Sequence, residues 1–517
     1  MFDLGISMSV PLGKFRSLVA NLGLLATGEM LSKFFTLVAF AHLARVLGPI
    51  SFGNIEFTLA VMFIFSLLID SGLGIYGARE IAQDRALIPS ITRRVVSTRC
   101  WLTLLTLGGL ALFVSVMRLS WEVRWLLMLF GLTLLPTPLL LQWVFQGIDQ
   151  MHWVSAAQVV RYGTFSLLAL MMVHSTAQLW TIPLAELTAI MACVGFNLGA
   201  YYYHFGSLRL RLLPRLDQKL ITEALPIGLS QLMWAAKFFS ATVFLGFFAR
   251  EEDVGQFGAA LRIIVALHTF ITLYFYNLLP SISQYSKESE SLLPSLVGGA
   301  IRVSSWLALL GCIVGTMSAK TAMHLIYGAD YAGAAIVLQL LLWMLGVTLW
   351  GAHYRCMLIG CGFQRLELLS AAIGAGLNIL LIVLLYSRFG LAGAALAMLI
   401  AGLVTEGVAY YFVQRYIVPI GTWRPLQQTG TVGLALALSL YVMGANPLWL
   451  KMGIVVVLFM VGVCLFDLQI LTDLRALFTT RSSDEGGAPC IETRASSANA
   501  LPSPTEMEAG SKGLREY

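Results

Sequence analysis

The sequence predicts an all-α integral membrane protein of about fourteen transmembrane helices, in two pseudo-twofold six-helix lobes followed by two further helices. Composition, a set of span-length apolar windows and an internal repeat predict it. Of 517 residues, 58% are hydrophobic and only 12% are charged, with mean hydropathy +0.81. That much apolar surface cannot be hidden in one soluble core. The repeat joins two distant stretches: Lys33-Phe34-Phe35, Ala44-Arg45 and Phe52-Gly53 return as Lys237-Phe238-Phe239, Ala249-Arg250 and Phe257-Gly258. The Arg to Phe-Gly spacing is identical in both, and repeated helical hairpins are how membrane transporters are built.

Windows able to cross about 30 Å of hydrocarbon lie at 18–47, 52–76, 95–117, 122–145, 153–173 and 178–203, the first lobe within 15–216. A tight Leu47-Gly48-Pro49 turn separates the first two. Pro136 and Pro138 interrupt the fourth. The second lobe, 217–420, holds windows at 220–248, 255–279, 294–317, 333–360, 366–386 and 390–413, with Pro226 interrupting the start of its first helix. Two more, 428–444 and 448–470, fill 421–472 after a Trp-Arg-Pro loop. Residues 473–517 are polar and poor in bulky apolar side chains, which predicts a disordered cytoplasmic tail. No removable signal peptide is evident in residues 1–16, so the first helix is expected to serve as an uncleaved insertion signal.

The net charge of +6 resides mostly in loops, where it sets topology and gives no sign of nucleic-acid binding. With the start in the cytoplasm, the inner loops carry Arg79, Arg85, Arg93, Arg94, Arg209, Arg211, Arg215, Lys219 and further cations, and the outer loops far fewer. Both ends are therefore expected inside. The seven cysteines mostly lie in apolar runs without metal-ligand spacing and read as packing residues.

Charges inside the spans each cost about 2.5–3.5 kcal/mol unless they face protein or water. Glu29 and Lys33 are four apart on one helix face and can pair. Asp70 lies in the cytoplasmic half of the second helix. Lys237, Arg262 and His268 occupy comparable depths in the second lobe, and neither Lys237 nor Arg262 has an acidic neighbour on its own helix. These residues either hold helices together or form a transport path. For Lys237 and Arg262 the cost of burying unpaired charge favours the path. Arg161, Arg302 and Glu186 lie nearer predicted span ends and read as snorkelling, structural groups. No Gly-rich loop ending in Lys-Ser/Thr, no His-Glu-x-x-His and no Gly-x-Ser-x-Gly is present. No cofactor, metal or catalytic role is expected.

Arg45-Val46-Leu47-Gly48-Pro49 through Phe52-Gly53, Asp70-Ser71-Gly72-Leu73, and Ala78-Arg79-Glu80 resemble the amino-terminal signature of bacterial polysaccharide flippases, the Wzx-like transporters of the multidrug/oligosaccharidyl-lipid/polysaccharide exporter superfamily. Gln142-Trp143-Val144-Phe145-Gln146-Gly147, Val254 to Ala260, Leu325-Ile326-Tyr327-Gly328 and Phe389 to Ala395 extend the likeness over about residues 18–470. Phe257, where many members have Tyr, and the long polar tail depart from it.

The resemblance implies a multidrug-extruder-like fold around a central cavity lined by helices 1, 2, 7 and 8. It also implies an undecaprenyl-diphosphate-linked oligosaccharide as cargo, in the cell inner membrane, with a polysaccharide polymerase and a chain-length regulator as possible partners. Substrate-binding residues would then be Lys33, Lys237, Arg262, Arg45 and Arg250, and candidates for ion coupling Glu29, Asp70 and His268. A lipid II flippase or a multidrug extruder of the same fold remain alternatives, although an extruder of cationic drugs would favour acidic cavity residues. A membrane polymerase or ligase would usually carry a large outer catalytic loop, and the longest here, around 318–332, is short.

The predicted topology is tested with periplasmic reporter fusions. Activity after Glu252 and none after Asp484 is expected, and the reverse pattern would exclude it.

Overall fold

A computed structural model describes residues 12–208, 217–288, 293–421, 423–443 and 447–467. The predicted tail over 473–517 and the loop cations Arg209, Arg211 and Arg215 lie outside the described residues. Residues 1–461 form one compact unit; of the second, 462–517, the described part is the last turn of a helix. Among the described residues all regular structure is helical, and eleven helices are long and apolar enough to cross a membrane.

Two of these are far too long to be single spans. Helix α1, Leu12–Asp70, has 59 residues and would extend about 90 Å if straight. It folds back at Gly48, whose φ of 70° and ψ of 173° leave the helical region. Glycine takes a positive φ without steric penalty, and Pro49 starts the return segment at a position where a missing N–H costs nothing. The predicted Leu-Gly-Pro turn is thus present. Helix α12, Gln364–Tyr416, folds likewise at Gly390, with φ 56°.

The return segment of α1 ends at Asp70, earlier than the predicted 76, because Ser71 and Gly72 take positive φ. A short amphipathic helix, α2 (Leu73–Gln83), follows, then α3 (Ile88–Val116). The predicted interruption of the fourth span is found: α4 (Trp121–Gly131) gives way to two 3-10 turns around Pro136 and Pro138 before α5 (Gln142–Gly147). Helices α6 (Met151–Met172) and α7 (Thr181–Phe205) complete the first half of the chain.

In the second half, α8 (Gln218–Phe248) runs through Pro226 without breaking, contrary to the expected interruption. Loss of one bond in the second or third turn is tolerated in membrane helices, where neighbouring groups can satisfy the freed carbonyl. Then come α9 (Glu251–Glu288), α10 (Leu293–Tyr327), α11 (Ala335–Gly360) and α12. Helix α13 (Trp423–Val442) packs on α10, and α14 (Leu448–Phe466) closes the described chain. Exposed apolar side chains such as Leu104, Leu105 and Leu112 of α3 form the outward surface expected in lipid.

Helix α1 packs on α6 within its own half and on α8 and α9 of the other. At the end that loop charge assigns to the outside, α1 and α9 touch backbone to backbone. A Cβ at Gly53 would lie 2.0 Å from the Glu251 carbonyl oxygen, and one at Gly255 would lie 2.0 Å from that of Pro49. Tyr331 Oη donates to the Ala44 carbonyl at 3.1 Å, and Phe52 meets the Tyr331 ring edge-on at 6.0 Å. The opposite, inner end is closed as well. Gly72 and Gly228 allow Ser71 and Ala224 to approach. Tyr76 Oη donates to Glu223 at 2.5 Å, and Arg94 binds Asp217 at 2.8 Å. The Arg94 guanidinium and the Leu220 amide hold the Asp217 carboxyl below the usual carboxylate range.

This packing predicts that Gly53→Ala and Gly255→Ala each lower the melting temperature of the purified protein. Overpacking costs typically about 1–3 kcal/mol. Gly195→Ala, where nothing lies within 4 Å, should not lower it. Equal melting of all three would show that the helices part freely.

Candidate functional site

Between the two closed ends lies a cavity of about 380 Å³. Three cations and two carboxylates line it: Lys33, Arg161 and Arg262 against Glu56 and Glu186. The lining follows helical spacing. Lys33, Thr36, Leu37 and Phe40 come from the first segment of α1, and Glu56, Leu59, Ala60 and Phe63 from its return segment. Gly258, Leu261, Arg262 and Val265 of α9 form the facing wall, with Arg161 of α6 and Glu186 of α7 on the side of the first half.

Each cation has a carboxylate partner. Lys33 Nζ lies 3.3 Å from Glu29, the predicted pair four residues apart. Arg161 Nη2 donates to Glu186 at 2.7 Å. Arg262 Nε donates to Glu56, across the contact between α9 and α1, and its guanidinium lies 3.1 Å from the centre of the Phe40 ring. Counting Glu29, which holds Lys33 just beyond the lining, three cations and three carboxylates balance at the cavity. In a low-dielectric site such fixed charges replace the hydration shell of an entering anion, and arginine does so with paired hydrogen bonds.

The other predicted residues lie outside this lining. Lys237 is not part of this lining: its ammonium is 3.5 Å from Glu406 of α12, which is fully buried. Arg355 and Glu367 form a further pair at 2.7 Å on α11 and α12. Asp70 is bound by Arg99 of α3 and accepts from the Gly74 amide at 3.2 Å, pinning the α1–α2 corner. His268 packs against Phe238 and Trp234, with Thr272 Oγ1 3.4 Å from its Nδ1. Arg45 binds the Leu325 and Ile326 carbonyls, so it caps the end of α10 and closes the outer end. Arg250 is exposed and bonds to Asp253 at 3.3 Å in the first turn of α9.

Glu56 escapes the sequence reading, although it stands one turn after Phe52-Gly53 with Leu59, Ala60 and Phe63 on the same face. Arg161 and Glu186, read as snorkelling side chains, face the cavity instead. The partners Arg99 and Glu406 lie on other helices, 29 and 169 positions away.

Residues 18–286, just over half of the chain, match the family model described as polysaccharide biosynthesis protein. The chain belongs to that family. A curated protein of Escherichia coli (strain K12), provisionally named an O-antigen transporter, is 24% identical over 416 residues, covering 77% of this polysaccharide biosynthesis protein and 97% of the relative. Among solved structures, the lipid II flippase MurJ in an inward closed conformation superposes with TM-score 0.65 at 14% identity, over 87% of this chain and 99% of that one. An inward-facing multidrug resistance MATE family transporter of the MOP superfamily gives TM-score 0.62 at 16% identity, over 77% and 98%. This polysaccharide biosynthesis protein therefore shares the fold of these two transporters, the multidrug-extruder-like fold that the resemblance implies.

Removing one member of the Arg161–Glu186 pair strands the other, and Arg161→Gln should destabilise the purified protein by on the order of 3 kcal/mol. Arg161→Gln with Glu186→Gln should recover most of that loss in a denaturation series. No recovery would show that the two groups act independently.

Proposed function

We propose that this membrane protein is a transporter of polysaccharide biosynthesis that flips undecaprenyl-diphosphate-linked oligosaccharide units across the cytoplasmic membrane, from the inner to the outer leaflet. The observation that carries this reading is the cavity wall, where Lys33, Arg161 and Arg262 gather, each held by a carboxylate that an anionic headgroup can replace. A diphosphate entering a cavity between two closed ends loses water, and guanidinium and ammonium groups compensate it directly. The family match and the E. coli relative support the same class of cargo.

A cavity of about 380 Å³ is near the small end of ligand sites, which run to about 1,000 Å³. A lipid-linked oligosaccharide exceeds it. The cavity must widen at one end to load and at the other to release, and rocking of the residue 15–216 and 217–420 lobes about α1 accomplishes both. Glycosyl and diphosphate bonds stay intact throughout, so no catalytic group is required.

The test is deletion of the gene with lipid analysis, followed by reconstitution. Lipid-linked oligosaccharide should accumulate on the cytoplasmic face, and purified protein in liposomes should move labelled undecaprenyl-diphosphate oligosaccharide between leaflets. Exported but unpolymerised units in the deletion strain would point to a polymerase. Movement of lipid II alone, or of a cationic drug alone, would assign the cavity to one of those cargoes.

A further inference from the structure

Arg262 holds an anion that belongs to the chain itself. Glu56 reaches it from the return segment of α1, lying one turn inward of Gly53, where α1 and α9 meet backbone to backbone. Arg262 lies one turn inward of Gly258 and two of Gly255. Gly258 makes room for the carboxylate: a Cβ there would stand 2.5 Å from the Glu56 Cγ and 3.0 Å from its Cδ. The ion pair is therefore the inner edge of the outer closure and part of the cavity wall at once.

We propose that Glu56 is a built-in substitute for the anionic headgroup, keeping Arg262 neutralised and the outer end closed until a diphosphate displaces it. This rests on the reading of the cargo as a diphosphate-linked lipid. The two partners differ in freedom. Arg262 is backed by the Phe40 ring at 3.1 Å and is the more accessible from the cavity, at 22% exposure against 8% for Glu56. An incoming phosphate meets Arg262 first and keeps it in place. Glu56 is then an unpaired carboxylate beside a second anion, and both the repulsion and its lost solvation are relieved when α1 and α9 separate and water enters.

The outer end is the one that opens, because the contacts at the inner end, Gly72 with Gly228, Tyr76 with Glu223 and Arg94 with Asp217, contain neither group. A ligand moves a conformational equilibrium only through its different affinity for the two states. Here the difference is whether Arg262 is occupied by Glu56.

The experiment uses the full chain in nanodiscs and reads hydrogen–deuterium exchange by mass spectrometry, with undecaprenyl diphosphate as the probe and undecaprenol as the uncharged control. In the unaltered protein, undecaprenyl diphosphate should raise exchange about tenfold in 49–58 and 251–262, leaving 71–76 and 220–228 unchanged, and undecaprenol should do nothing. Glu56→Gln should show the raised exchange without ligand and bind undecaprenyl diphosphate about tenfold more tightly, because coupling is reciprocal. Glu56→Asp should fall between. Binding with no change in exchange, or Glu56→Gln binding with unaltered affinity, overturns the substitution mechanism and leaves the cargo assignment standing. Absence of binding by the unaltered protein overturns both. The ligand-dependent exchange of the unaltered chain decides the matter even if Glu56→Gln fails to fold.

Discussion

The need to neutralise every charge that enters hydrocarbon organises this fold. Water is absent from the bilayer core, so an unpaired ammonium, guanidinium or carboxylate there is costly, and pairing by a side chain of another helix is the remedy available. The described residues use it repeatedly. Asp70 of α1 is held by Arg99 of α3, Arg161 of α6 by Glu186 of α7, Lys237 of α8 by Glu406 of α12, and Arg262 of α9 by Glu56 of α1. Each pair fixes a helix–helix contact as well as a charge. Only the last joins the two halves of the chain through the cavity wall.

The glycines act where the charges do not. Association of helices in lipid relies on close van der Waals approach, since lipid tails are as apolar as leucine, and glycine allows the closest approach. Gly53 and Gly255 at one end of α1's return segment, and Gly72 and Gly228 at the other, bring backbones together with no side chain between them. Such contacts are dry and short in reach. A small increase in helix separation at either end therefore forfeits most of the contact there.

Much of this architecture was legible because its causes are local. The turn at Gly48 follows from Gly-Pro chemistry within two residues, and the breakdown of the fourth span follows from Pro136 and Pro138. The Lys33–Glu29 pair follows from a spacing of four on one helix. Pairing across helices was not legible. Lys237 has no acidic neighbour on its own helix, and Glu406 lies 169 positions along the chain; only the packing of α8 on α12 joins them. The carbonyls that Arg45 binds likewise belong to another helix, α10. Glu56 shows a different limit. It sits in the return segment of α1 one turn after the Phe52-Gly53 step, yet a single acid within an apolar run carries no sign of which way it points.

A transporter must also release what it binds. A cavity lined only by cations would hold a diphosphate tightly, since each charge-assisted bond is stronger than a neutral one and no other anion competes for it. Glu56 and Glu186 change that balance. They compete for the same cations, so the proposed cargo gains only the difference between its own contacts and the internal pairs it replaces. When the cargo leaves, the carboxylates return to Arg262 and Arg161, and no bare charge is left inside the membrane. Favourable entry and ready exit are both required of a conducting site, and mixed charge on the wall meets both with side chains the fold already holds in place.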